Sequence, residues 1–545
     1  MNHLELFSNK NSASDEVFDE DSFKYILSGT NVLLDVIKST LGPKGTLKIL
    51  QGQNDHLTTN DGATIMSNVK LEVPSARVLM ETSKLQDYEE GDGTTSIAIL
   101  ASLILKHAYS SKTHPRFLVK GINKALEKIS EILEVKKFKI NPTDVKSLVK
   151  TTLCSKILNS NIDLFSDICI EAIQNLKESC NLDLINVVKV IGNMSESRLV
   201  KGILVEKNIN FRNNEQDLNK KLSNLQFGDK KDEIVLHKIL KPKVLVVNTA
   251  LDFDKIKLST SKANVNSILE LKKIEDSEKQ RMRDKINDIC KIDFDVLINR
   301  QIIYDYNMQL LLDKGKYVIE NADFGNVERL HQVLGGKVLS HFCDGVENNA
   351  TGTCEFIEQI QIKEKNFVKF SGCKNKGAST ILLFGSSNAI LEEGERALHD
   401  ALCVLKRIHK EQFLLLGGGS TEIMLGMELL KYSQEIKTVE SEGVLVLSNA
   451  LLEFVDILTT NCGFNSKVFR SSIISMYNNR SSFTRNNFTQ GLDINTGKPN
   501  CMKSLKVFEG FSMKIRVLKA ACEAAQSLLK CDGVITHAPR ERHRH

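Results

Sequence analysis

The sequence predicts a multidomain protein of α and α/β build, with helix-rich terminal regions on either side of an α/β middle. Three observations predict it. Apolar residues recur at helical spacing through much of the first 180 residues and again from Leu391 onward. Short β-branched runs stand between helical stretches in the middle of the chain. Glycine-rich turns with interleaved carboxylates occur near both ends, which suggests one site assembled from the two termini.

After a polar arm to about Glu20, a first helix is expected with Asp21 or Ser22 as its cap and Phe23, Ile26, Leu27, Leu33, Leu34, Ile37 and Leu41 on its apolar face. Gly42-Pro43 forbids its continuation. Residues 94–135 and 142–181 also read as largely helical. Residues 212–236, rich in Asn, Lys and Asp, read as a solvated insertion or loop. Lys243–Asn248, Asp295–Asn299 and Tyr317–Ile319 read as strands of an α/β domain. Between Ile268 and Ile289 lies a charged helix with sparse apolar positions. It reads either as a solvated surface helix or as a protruding arm whose thin apolar stripe meets partners. Helices return at 391–410, 420–432, 439–460 and 511–530.

With 545 residues, and ~100–200 residues per domain, about three domains and ample core are expected. The formal charge of +5, from 73 basic and 68 acidic residues, is a small excess on so long a chain and gives no case for nucleic acid. The basic tail from Arg540 to His545 reads as a frayed terminus or an inter-subunit arm. Twelve cysteines are scattered without a C-x-x-C pair, so reduced core thiols are expected rather than zinc or disulfides. The acidic start lacks a signal-peptide pattern. The apolar run near Ile97–Leu105 is about half the ~18 residues of a membrane span. A cytosolic protein with no membrane partner is the expectation.

The most informative fragment is Gly91-Asp92-Gly93-Thr94-Thr95-Ser96, followed by an apolar helical run. Backbone N–H groups, hydroxyls and a carboxylate converge there, as a phosphate chain carrying a divalent cation requires. A helix simply capped by Asp92 is the plainer alternative. Thr40-Leu41-Gly42-Pro43-Lys44-Gly45 and Asn60-Asp61-Gly62 lie upstream. Asp400 and Gly417-Gly418-Gly419 lie far downstream. G-x-x-x-x-G-K-[ST] does not occur, so this is no Walker P-loop. Read alone, Asp61 is a turn residue, Lys156 a solvated lysine, and Asp400 a surface carboxylate paired with Arg396.

These motifs resemble those of the group II chaperonins. Longer stretches are similar to the eukaryotic CCT (TRiC) group: Ile298-Asn299-Arg300-Gln301, residues 322–330 (Ala322 to Leu330), residues 398–405 (Leu398 to Leu405) and Ala538-Pro539-Arg540. The similarity runs from about Ser22 to Arg542. The resemblance implies a chaperonin fold of three nested domains. A helical equatorial ATPase domain is formed by 1–150 and 404–545. Hinge-like intermediate segments are 151–200 and 375–403. An α/β apical substrate-binding domain spans 201–374, with a helical protrusion at about 255–292.

For the site, the resemblance implies ATP and Mg²⁺ as ligands. Thr40, Leu41, Gly42 and Pro43 would approach the phosphates, and Asp92 would hold the metal beside Gly93, Thr94, Thr95 and Ser96. Asp400 would orient the attacking water, with Asp61 as second carboxylate and Lys156 near the terminal phosphate. Gly418, Gly491 and Glu509 would flank the adenosine. Two departures fall there: Cys501 stands where relatives commonly carry an acid, and Lys506 replaces the usual glycine. The implied partners are other chaperonin subunits, in two stacked eight-membered rings, and unfolded clients such as actin and tubulin. A homo-oligomeric archaeal-type chaperonin and an ATPase-inactive assembly scaffold are the alternatives.

Overall fold

The computed structural model describes residues 16–52, 56–69, 73–176, 181–210, 233–251, 268–340, 342, 350–374, 377–478 and 488–535. The chain divides into two compact units. One joins Met1–Ile170 to Ser387–His545, and the other is Glu171–Ser386.

In the first unit, the helix Thr94–Ser111 lies at the centre of the core. Ile97, Ala98, Ile99, Ala101, Leu103, Ile104 and Leu105 are all fully buried. A helix apolar on every side needs neighbours on every side. They are Asp19–Ile37, Pro74–Glu90, Ser441–Asn461 and Phe511–Leu529, two drawn from each end of the sequence. Burying each such isoleucine or leucine stabilises by ~1.5–3 kcal/mol, so this core holds the two ends of the chain together. The helix Ser441–Asn461 is long and apolar enough to cross a membrane by length and composition, which run length alone did not reveal. Its Val444, Leu447, Ala450, Leu451 and Val455 belong to the core.

Several expectations change here. The first helix starts at Asp19, ahead of Asp21 and Ser22. The arm before it is already a strand, Glu16–Phe18, paired antiparallel with Gly533–Ile535. No local pattern signals a pairing across more than 500 residues. The stretch 142–181 is broken into Pro142–Leu153, a 3₁₀ turn Ile157–Asn161 and Ile162–Leu176, and the break leaves Lys156 facing a cavity. The helix Pro74–Glu90 was not anticipated: its exposed Leu85 and Tyr88 blur the amphipathic stripe. Helices Gly62–Asn68 and Ser466–Asn478 were missed as well. So was the strand Phe413–Leu416, which joins Phe138–Lys139 and Phe508–Gly510 in one antiparallel sheet.

In the second unit, the three expected strands lie side by side. Tyr317–Ile319, Val296–Asn299 and Lys243–Val247 are parallel, with Gly352–Thr353 antiparallel at the edge. Every residue of Val296–Asn299 is buried, as a central parallel strand must be. The helix Ile268–Ile289 has the expected bounds and two characters. Met282, Ile286 and Ile289 are buried, whereas Ile268, Leu269 and Ile274 are exposed. Residues 233–236, expected in a loop, belong to the strand Glu233–Leu240, which pairs with Phe356–Ile362. The rest of that segment, the outer part of the expected protrusion at 255–267, and the basic tail 540–545 lie outside the described residues.

Candidate functional site

The first unit encloses a cavity of about 630 Å³ lined by segments from both ends of the chain. Thr40, Leu41, Gly42 and Pro43 form one wall. Gly42 has φ +90°, and a Cβ there would come within 2.3 Å of Leu458 Cδ1, so the turn requires glycine. Thr40 Oγ1 donates to the Ile37 carbonyl at 2.8 Å, which leaves its oxygen rather than its proton for a ligand. Asn461 Nδ2 donates to the carbonyls of Lys38 (2.7 Å) and Leu41 (2.9 Å) and pins this turn from 420 residues away. That positioning residue carried no signal in the sequence.

The Gly91–Ser96 turn forms the second wall. The helix Pro74–Glu90 ends at Gly91 (φ +70°), and Gly93 (φ +83°) opens Thr94–Ser111. Asp92 therefore does not cap the helix. Its carboxylate accepts from the Gly93 N–H at 2.7 Å, while Gly93, Thr94, Thr95 and Ser96 line the cavity at a helix N-terminus. Gln86 donates to the Asp92 carbonyl (3.0 Å) and Ser83 to that of Thr94 (3.0 Å), which fixes the turn from behind. Burial pushes the Asp92 carboxyl above its ordinary range, against the pull of Lys156 and the Gly93 N–H.

The remaining charged groups meet between these walls. Asp61 is the N-cap of Gly62–Asn68 rather than a free turn residue. It accepts from Thr64 N (2.9 Å), Thr64 Oγ1 (2.7 Å) and Thr94 Oγ1 (3.1 Å). Burial alone would raise its pKa, but Lys156 and these hydrogen bonds outweigh burial and hold it low. Asp400 is not a surface residue: it is 6% exposed. Arg396 pairs with Glu393 instead, and Asp400 Oδ2 meets Lys156 Nζ at 2.7 Å. Burial raises Asp400 well above the carboxylate range although Lys156 opposes it, while Asp400 and Asp61 keep Lys156 protonated. Lys156 is accordingly a buried ion-pair partner, not a solvated lysine.

At the far end lie Gly418 and Glu509. Gly418 has φ +64°, and a Cβ there would come 2.5 Å from Met502 Sδ. Gly491 is outside the lining and buttresses this turn, since a Cβ on it would lie 2.8 Å from the Gly418 carbonyl. Glu509 stands on the strand Phe508–Gly510 and pairs with Lys514, which also meets Glu422 at 2.5 Å. Burial raises Glu509 despite Lys514. Glu422 and Lys514 were not singled out in the sequence, since an acid and a base 92 residues apart give no periodic signal. Lys506 lines the cavity at φ +56°, a left-handed conformation that explains why glycine suits this position. Cys501 does not line it; its thiol donates to Thr489 Oγ1 at 3.4 Å.

Chemically, a helix N-terminus and glycine turns attract an anion, and clustered hard carboxylates attract a divalent cation. A buried carboxylate of raised pKa can take a proton. The TCP-1/cpn60 chaperonin family matches residues 33–539. T-complex protein 1 subunit beta of Encephalitozoon cuniculi is 40% identical, with 99% of this chain and 100% of that protein aligned. The Saccharomyces cerevisiae protein of that name is 38% identical over 97% of this chain and 98% of its own length, and the human one 36% identical over 94% and 93%. The match spans both walls of the cavity and nearly the whole chain, and the chain belongs to the TCP-1/cpn60 chaperonin family.

Proposed function

We propose that this cavity binds ATP with Mg²⁺ and hydrolyses it, and that the chain is a subunit, of the T-complex protein 1 beta kind, in a cytosolic hetero-oligomeric chaperonin. The observation that carries the reading is the meeting of Asp61, Asp92, Asp400 and Lys156 in one cavity with the Gly93–Ser96 helix start. Three carboxylates would repel a triphosphate unless a cation accompanied it. Asn60 Oδ1, next to Asp61 in the lining, is a buried acceptor with no hydrogen-bond partner, and the carboxylates of Asp61 and Asp92 offer hard oxygen. Both facts suit Mg²⁺. Bound with the nucleotide, the ion would neutralise phosphate charge, with Asp92 and Asp61 as its carboxylate neighbours.

Asp400 then serves as the base. As water attacks the γ-phosphorus, its proton passes to the Asp400 carboxylate, the bond from phosphorus to the β-bridging oxygen breaks, and ADP and phosphate leave. Burial suits Asp400 to this by making it a stronger base than an exposed carboxylate. Lys156 pairs with Asp400 and would turn to the terminal phosphate of a bound nucleotide. Gly42 and Gly93 hold backbone close enough to bind phosphate oxygens, and Gly418 and Glu509 face the nucleoside.

The three-domain division with hinges at 151–200 and 375–403 belongs to the same proposal. Lys156 lies in the first hinge segment and Asp400 in the second, so their ion pair supports a link between nucleotide chemistry and hinge closure. The ring would have eight subunits, stacked as two rings, with actin and tubulin among its clients. The alignment with beta-type relatives over nearly their whole length supports a place in a mixed ring. Expressed alone, the chain is expected not to form a closed ring with full folding activity, since each interface is matched to a specific neighbour. Native mass measurement of the particle purified from cytosol should find related chaperonin chains at equal stoichiometry. A homogeneous, ATP-competent double ring made of this chain alone would overturn the mixed-ring reading.

A further inference from the structure

Glu90 immediately precedes the Gly91–Asp92–Gly93 turn and is 3% exposed. A buried carboxylate at that place needs cations, and two arginines from distant helices supply them. Arg407 donates from Nη2 to Glu90 Oε1, and Arg516 Nη1 reaches the same oxygen at 3.4 Å while its Nη2 meets Glu89. Arg407 belongs to the helix Asn388–Lys410, which carries Asp400, and Arg516 to the helix Phe511–Leu529, which contributes Met513, Lys514 and Val517 to the cavity.

The spacing on the Asp400 helix is informative. Asp400, Cys403 and Arg407 stand at i, i+3 and i+7, so they share one face. Each meets the turn in reverse order. Arg407 holds Glu90, and Cys403 occupies the space that a Cβ on Gly91 would need, 2.6 Å from its own Cβ. Asp400 shares the cavity with Asp92. The helix is thus laid along the turn, and the Arg407–Glu90 ion pair fastens the two together.

We infer that Glu90 and Arg407 are a positioning pair for hydrolysis: they fix the register of the Asp400 helix against the Asp92 turn, and so set the distance between the base and the bound phosphates. This rests on the reading of the cavity as an ATPase site. Neither residue touches nucleotide; the pair acts through Asp400. It predicts a loss in the chemical step without a loss in binding, because the phosphate-binding walls are held separately by Asn461, Gln86 and Ser83.

The test uses the assembled ring with hydrolysis disabled in the other subunits, and reads kcat and Mg-ATP affinity at this site. Glu90→Gln and Arg407→Gln should each lower kcat about tenfold, as small misplacements of reacting groups do, with affinity held within about twofold. Glu90→Gln/Arg407→Gln should match either single variant. In an Asp400→Ala background, neither should lower kcat further. Arg407 is 32% exposed, so Arg407→Gln keeps the test readable where Glu90→Gln misfolds. A melting temperature that falls while kcat stays at the parent value would reduce the pair to a structural brace and overturn the inference. So would a parallel loss of nucleotide affinity. A parent ring with no hydrolysis at this site would instead overturn the ATPase reading itself.

Discussion

Asp400→Ala leaves ATP binding at this site largely intact and slows hydrolysis there by about 10²–10⁴-fold, the range for losing a positioned acid–base group. Binding would survive because the proposed anion contacts lie elsewhere in the lining, at the Gly93–Ser96 helix start and the Thr40–Pro43 turn. Hydrolysis slows because the neighbouring Asp61 is a poor substitute. Asp61 is held low by Lys156 and occupied by Thr64 and Thr94, so it is a weak base. The pH dependence carries a sign. Asp400 works only when deprotonated and its pKa in the ligand-free site is raised, so kcat/KM, which reports that site, should climb with pH through a limb above the ordinary carboxylate range. Lys156→Ala removes a charge that lowers that pKa, and should move the limb higher still. Normal turnover in Asp400→Ala would remove this residue from the mechanism.

Asp92→Ala should fail at binding instead, with Mg-ATP affinity reduced by at least the roughly 10- to 100-fold that losing a group behind a metal ligand costs. Asp92 sits at the turn where the Gly93–Ser96 helix start begins, and its carboxyl pKa is pushed up by burial, a state that a nearby cation would relieve. Titration with a fluorescent ATP analogue at fixed Mg²⁺ checks this. Weakened binding in Asp400→Ala, with Asp92→Ala binding as the parent does, would show the two roles to be interchanged.

Local chemistry makes much of the candidate site legible in the sequence. A glycine that must adopt φ +90° at Gly42 or +83° at Gly93 leaves its mark in the chain, as does a helix start rich in hydroxyls. The strand at 295–299 was legible because a central parallel strand is uniformly apolar, and those at 243–248 and 317–319 because their short apolar runs are β-branched. What stayed hidden depends on distant partners. Asn461 is an ordinary asparagine until the fold brings it to Lys38 and Leu41. Asp400 looked solvated because its helix also carries Arg396 at the expected spacing for a pair; burial against Lys156 decides otherwise. Glu422 and Lys514, and Glu90 and Arg407, are pairs between helices far apart in sequence. The strand Glu16–Phe18 exists only because Gly533–Ile535 completes it.

The central claim is that the cavity between the Thr40–Pro43 turn and the Gly91–Ser96 turn is an ATP site that uses a divalent cation. The most direct measurement is a density map of the purified ring with Mg²⁺ and a non-hydrolysable ATP analogue at saturation. The expected result is a triphosphate lying against Gly42 and the Gly93–Ser96 helix start, a metal ion beside Asp92, and Lys156 turned from Asp400 toward the terminal phosphate. An empty cavity in this chain at saturating nucleotide, or a nucleotide bound elsewhere on it, would contradict the claim.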